Sequence, residues 1–133
     1  MFMKKLENQA YSLMRIFAGF MFLWHGSQKL LNIPAAGFDF PVFIKFVGGP
    51  IELFGGLLIM IGLCTRWAAF ITSGQMAAAY WMAHGTKSFL PLLNQGEMAA
   101  LYCFVFLFIS ARGAGIWSVD KAMARKGQGS TAT

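Results

Sequence analysis

Six polar residues stand inside or at the edges of apolar runs and are the first candidates for chemistry: His25, Lys29, Glu52, His84, Asn94 and Glu97. A carboxylate and two imidazoles can give and take protons near neutral pH, so Glu52, His25 and His84 are candidates for proton transfer or hydrogen bonding to a ligand. Lys29, four residues after His25 and therefore on the same helical face, could stabilise developing negative charge. Asn94 and Glu97 complete a candidate ligand-binding set with Lys29. Polar groups in an apolar medium are costly and face a partner or a cavity, and Glu52 shares a face with Gly48, Gly55 and Gly56, where a neighbouring helix can approach closely. Glu52 is thus expected to point inward.

Each residue also has a plainer reading. Lys29 could extend to the polar boundary or form a salt bridge with Glu52. Asn94 and Glu97 have the spacing of a helix-capping box. His84 shares a face with Ser73, Ala77 and Tyr80 and could be an interhelical hydrogen bonder, while His25 follows Trp24 in an aromatic boundary belt. A metal site would recruit His25, His84, Glu52 and Glu97, but no HxxxH-like spacing supports one, and no metal is expected. Haem ligation lacks an attachment motif. No nucleophile signature, phosphate-cradling glycine loop or dinucleotide fingerprint occurs. A second group, Arg15, Arg66 and Asp120, is expected to form structural ion pairs that lock helix ends.

The elements that must hold these residues are apolar helices. Of the 133 residues, 57% are hydrophobic and 12% charged, about half the ~25% charged content of a soluble domain. The stretch Trp67 to Ala83 carries no charge on any face, which fits lipid rather than an amphipathic soluble helix. Four apolar segments are drawn: Ser12 to Leu31, Phe40 or Val47 to Leu63, Trp67 to His84, and Gln95 to Ala111. The expected fold is an all-α membrane protein, a four-transmembrane-helix bundle over residues 1–121, followed by a polar, disordered tail over 122–133. Apolar sequence continues beyond Leu31, unlike the flank of a cleaved signal peptide. Prolines, Gly37 and Asp39 make 32–41 a loop. Either the helix after Asp39 runs into the second span with a kink at Gly48-Gly49-Pro50, or it lies at the surface and the span begins near Pro50.

The net charge of +6, from 11 basic and 5 acidic residues, would suggest nucleic acid in a soluble protein. Here the cations flank apolar runs, so no nucleic-acid partner is expected. Lys4, Lys5, Arg15, Arg66, Arg112, Lys121, Arg125 and Lys126 fall on one side, and Lys29, Lys45 and Lys87 on the other. The first side is expected to be cytoplasmic, with both termini there. This topology concentrates the six polar candidates toward the outer helix ends, where they could share a chamber. Cys64 and Cys103 lack CxxC spacing and are expected to be inert packing residues.

The same residues carry a family resemblance: Arg15 through Gly19 to His25-Gly26 and Lys29-Leu30, Glu52 with Gly55-Gly56, Gly62 with Thr65-Arg66, Asn94-Gly96-Glu97, and Ser118-Asp120. Together, from about Ser12 to Lys121, they resemble the DoxX family. The resemblance implies a four-helix protein of the bacterial inner membrane. It also implies a link to redox systems, since the family takes its name from a subunit of a thiosulfate:quinone oxidoreductase and other members are associated with redox stress.

The leading functional expectation is therefore a membrane subunit or accessory protein of a redox system, with a quinone or other small molecule in the outer chamber. If catalytic, it would be part of a quinone-linked oxidoreductase, with a soluble redox partner. The alternatives are a non-catalytic scaffold anchoring a partner protein, and a small transporter or a lipid- or metabolite-binding protein. A homo-oligomer is also open, because Gly48, Gly49, Gly55 and Gly56 could pack helices within one chain or between chains.

Overall fold

A computed structural model describes residues 1–130. Within them the protein is all-helical, with no strand. A short 3-10 turn, Phe2–Leu6, leads into α1, Glu7–Leu31. The second long helix is α2, Gly49–Ile61, entered through a π turn at Ile44–Gly48, so the chain is helical without a break over 42–61. Helix α3, Thr65–Tyr80, continues into a second π turn, Trp81–Gly85. The single turn α4, Pro91–Asn94, precedes α5, Glu97–Arg112, and α6, Val119–Ser130, closes the described chain.

The structure decides between the two readings of the second helix: it runs on through Gly48-Gly49-Pro50. Pro50 lacks an N–H, and the π turn just before it absorbs the mismatch, with the Gly49 N–H bonded back to the Ile44 carbonyl. Ile44–Ile61 is, among the described residues, the one helical segment long and apolar enough by length and composition to cross a membrane. Helix α5 has 16 residues, fewer than the ~20 an unaided span needs. The tail expected to be disordered is helical as far as Ser130, since α6 begins at Val119. Residues 131–133 of that expected tail lie outside the described residues.

Helix α1 lies chiefly against α2, and α3 against α5, with α2 and α3 joining the two pairs. Glycine sets the first crossing. A Cβ at Gly56 would lie 2.5 Å from the Leu23 main-chain nitrogen, and one at Gly19 would lie 2.5 Å from that of Met60. One at Gly26 would collide with the Leu53 main chain, and Gly55 lies directly against the Thr72 methyl. Gly19, Gly26, Gly55 and Gly56 thus pack helices within the chain. Gly26→Ala should lower stability by about 1–3 kcal/mol, because backbone cannot move aside as a side chain can. Thermal unfolding in detergent measures this, with Gly74→Ala, at an uncrowded position, as the control expected to change little.

The interior mixes apolar and polar side chains. The interior holds Phe22, Ile59, Phe106 and Ile109, but also Ser12, Arg15, Glu52, Thr65 and Thr72, each at most 1% exposed. Outward faces carry Phe17, Trp67, Phe70, Leu101 and Phe104, all more than half exposed. The aromatic centre joins α1 to α5: Phe22 meets Phe106 edge-on at 4.7 Å between centroids, and Tyr102 stacks on Phe106 at 5.4 Å.

Candidate functional site

The two groups of candidate residues occupy opposite ends of the bundle. At the end bearing the termini, Arg15 is fully buried, and its guanidinium donates to the carbonyls of Ile59 (2.6 Å) and Met60 (2.8 Å) at the end of α2 and to that of Trp117 (2.8 Å). Arg66 donates to the Ser110 (2.9 Å), Ala111 and Arg112 carbonyls that end α5. Asp120 accepts the Cys64 and Thr65 main-chain N–H groups at 2.8 and 3.0 Å and the Thr65 hydroxyl at 2.9 Å, capping α3 from a distant part of the sequence.

In place of the expected ion pairs, these residues make charge-assisted hydrogen bonds, chiefly with main chain at helix ends. The reason is that helix termini leave backbone groups unpaired, with partial positive charge at the start and negative at the end. The ion pair at this end joins Arg112 to Glu7 instead.

Burial tends to raise the Asp120 carboxyl, but the Thr65 and Cys64 hydrogen bonds, with the Arg15 charge, outweigh it and hold the group below its ordinary value. A depressed carboxylate contributes stability that is complete above its unfolded pKa of ~3.9 and is lost as pH falls through the lower folded value. Acidification should therefore loosen α6 from the start of α3. Asp120→Ala should do so at neutral pH, at a cost of about 1 kcal/mol, the typical worth of a cap. Hydrogen exchange across α6 checks both, with the wild type approaching the variant only in acid.

At the opposite end, Glu52 on α2 is 1% exposed. Its Oε1 is bound by the Lys29 ammonium from α1 and by the Gln75 amide from α3 at 2.8 Å. The salt-bridge reading of Lys29 is the observed one. Lys29 also lies 5.9 Å from the Phe40 ring centroid, in contact range for a cation and a π face. The other carboxylate oxygen, Oε2, is buried with no partner among the described residues, and so is Gln75 Oε1.

These groups wall a cavity of about 460 Å³ between α2, α3 and the two π turns, with Lys29, Glu52, Gln75 and His84 as its main polar groups. The remaining lining is apolar and includes Phe40, Ile44, Ile51 and Ile71, with Phe43, Val47 and Met82 exposed. A cavity of this size, with an apolar lining and a few convergent polar groups, has the character of a small-molecule pocket. A π turn winds fewer degrees per residue than an α-helix, which swings His84 off the Ser73 face and onto this wall. His84 Nδ1 lies 2.9 Å from the Asn94 carbonyl oxygen.

The other candidates lie elsewhere. His25 does not line the cavity; it meets Tyr102 edge-on at 6.1 Å. Asn94 is buried as a loop clamp, donating to the Tyr80 hydroxyl (3.0 Å) and the Ser88 carbonyl (2.9 Å) while accepting the Gly96 N–H (2.8 Å). The capping-box reading is corrected: Gly96, not Asn94, precedes α5, and Glu97 is exposed outside the cavity. Of these six candidates, the structure brings three to the cavity and adds Gln75. That glutamine could have been noticed as the bulkiest polar side chain within the charge-free stretch Trp67 to Ala83. Cys64 is exposed in the α2–α3 turn, and Cys103 lies half-buried with its carbonyl bonded by Ser73.

The site thus sits in an all-helical bundle built on close glycine crossings, with polar as well as apolar side chains inside and large apolar side chains outside. The chain belongs to the DoxX family, a membrane-associated family whose model, described as DoxX, matches residues 10–85. That segment contains Arg15, Lys29, Glu52, Gln75 and His84. An uncharacterized protein of Haemophilus influenzae (strain ATCC 51907 / DSM 11121 / KW20 / Rd) is 35% identical over 133 residues, covering 93% of this chain and 98% of that protein. No solved structure matches.

Proposed function

We propose that this DoxX protein spans the bacterial inner membrane four times with both termini cytoplasmic, and that its Glu52 cavity binds a quinone headgroup or a similarly amphipathic small molecule as part of a redox system. The cavity itself carries the reading: an apolar slot whose closed end presents a carboxylate, an ammonium and an amide, with an imidazole alongside. A quinone carbonyl would accept hydrogen bonds from Lys29 and Gln75. Reduction needs protons as well as electrons, and Glu52 and His84 are the groups that could hold them. Electrons would come from a partner subunit or soluble redox protein.

Four spans are supported by the outward apolar faces, by the basic residues gathered at the terminal end, and by the family. The shorter helices would span with help from their π-turn and loop extensions and from local adaptation of the bilayer. Cysteine labelling in intact cells tests the topology in a chain carrying Cys64→Ser and Cys103→Ser. An impermeant reagent should modify Ala35→Cys and Thr86→Cys but not Ala124→Cys. Modification of Ala124→Cys from outside would overturn it.

Mass spectrometry of gently solubilised protein tests the ligand. A quinone or comparable amphipathic molecule should copurify and be lost on blocking the slot with Ala79→Trp. A stable copurifying protein with no small molecule would favour the scaffold reading.

A further inference from the structure

At the opposite end from the Glu52 cavity, a second depression of about 410 Å³ lies where the chain leaves α5 and enters α6. Ile116, Trp117, Ser118, Lys121, Ala122 and Arg125 line it. Lys121 and Arg125 are one helical turn apart and so present their cations on one side of α6. Both are exposed, and neither has an ion-pair partner among the described residues. The nearby carboxylate of Asp120 directs both oxygens at the start of α3 and leaves the two cations uncompensated.

Trp117 is 57% exposed, although its main chain is fixed by the buried Arg15. An indole displayed beside two cations, above apolar Ile116 and Ala122, matches the boundary between acyl chains and headgroups. The shelf is rigidly placed, since the Asp120 N–H also donates to the Gly62 carbonyl at 2.9 Å.

We propose that this shelf binds the phosphodiester headgroup of a single anionic phospholipid, with Lys121 and Arg125 on the phosphate and Trp117 along the glycerol region. The charge complementarity fixes the class of lipid, and the apolar floor favours a lipid over a free anion. The inference rests on the proposed inner-side position of α6 for its location in the cell, but the binding is measurable without it.

The test uses purified full-length protein in a neutral detergent, titrated with short-chain phosphatidylglycerol or phosphatidylcholine and read by native mass spectrometry. An interfacial cation is worth about fivefold in binding, so the pair should give phosphatidylglycerol a preference on the order of 30-fold at low salt. Lys121→Gln with Arg125→Gln should abolish that preference with an unchanged melting temperature, while Lys121→Arg with Arg125→Lys should keep it.

Lys4→Gln with Lys5→Gln should also keep it; an equal loss there would mean diffuse surface charge and overturn the site. Absence of a preference in the wild type, or its survival in the glutamine pair, would overturn the proposal. So would displacement of the lipid by equimolar inorganic phosphate, which would mark a free-anion site. External labelling of Ala124→Cys with lipid binding intact would sink the topology and leave the shelf standing.

Discussion

Arg15→Met is expected to destabilise the protein by on the order of 3–5 kcal/mol, as each buried carbonyl left without a donor costs ~1–3 kcal/mol. The fully buried guanidinium satisfies the last carbonyls of α2 and the Trp117 carbonyl together, joining the α1–α2 crossing to the α5–α6 connection. Methionine fills much of the volume but donates nothing, so the α2 end would open and α6 would lose part of its seat. Arg15→Lys should recover only part of the loss, because a single ammonium cannot reach carbonyls on both sides as a planar fork does. Denaturant titration in mixed micelles gives the two values. Equal stability of Arg15→Met and wild type would show that the helix ends find other donors.

Glu52→Gln is expected to lower affinity for the cavity ligand by tenfold or more while changing stability little. The amide keeps the size of the carboxylate and one acceptor oxygen but loses the charge and the ability to take a proton. A fully buried ion pair broken in this way would cost ~3–5 kcal/mol. Here, however, the Lys29 side chain is 18% exposed and can extend to the polar boundary once released. Lys29→Met is expected to be the more damaging change to stability, since it leaves the Glu52 charge buried with only the Gln75 amide beside it.

Much of this arrangement is legible in the sequence. An apolar run with a single carboxylate and glycines on its face points Glu52 inward, and a salt bridge from Lys29 is one of the two readings its position allows. The end of α1 at Leu31 and the extents of α3 and α5 also follow closely from composition and glycine placement, whereas α1 begins at Glu7, ahead of the Ser12 at which the apolar run starts. Four features do not follow. Two π turns alter the register locally, which the α-helical spacing of His84 with Ser73 cannot anticipate. Asn94 and Glu97 have capping-box spacing, but the αL conformation of Gln95, at φ 60°, ends one turn and starts another between them. Asp120, Arg15 and Arg66 are recognisable as charges at helix ends, yet sequence does not distinguish a charge that pairs with another charge from one that caps a helix distant in the chain. Helix α6 is missed because Gly127 and Gly129 make the segment resemble a tail, whereas Asp120 ties its first turn to α3.

One paired measurement separates a ligand site at Glu52 from a structural ion pair. Wild type and Glu52→Gln, purified in the same detergent, are compared for binding of a short-chain quinone and for thermal stability. A ligand site gives saturable binding to the wild type, at least tenfold weaker binding to Glu52→Gln, and nearly equal melting temperatures. No quinone binding by the wild type, together with a marked loss of stability in Glu52→Gln, would contradict it and leave Glu52 as a bundle-locking carboxylate.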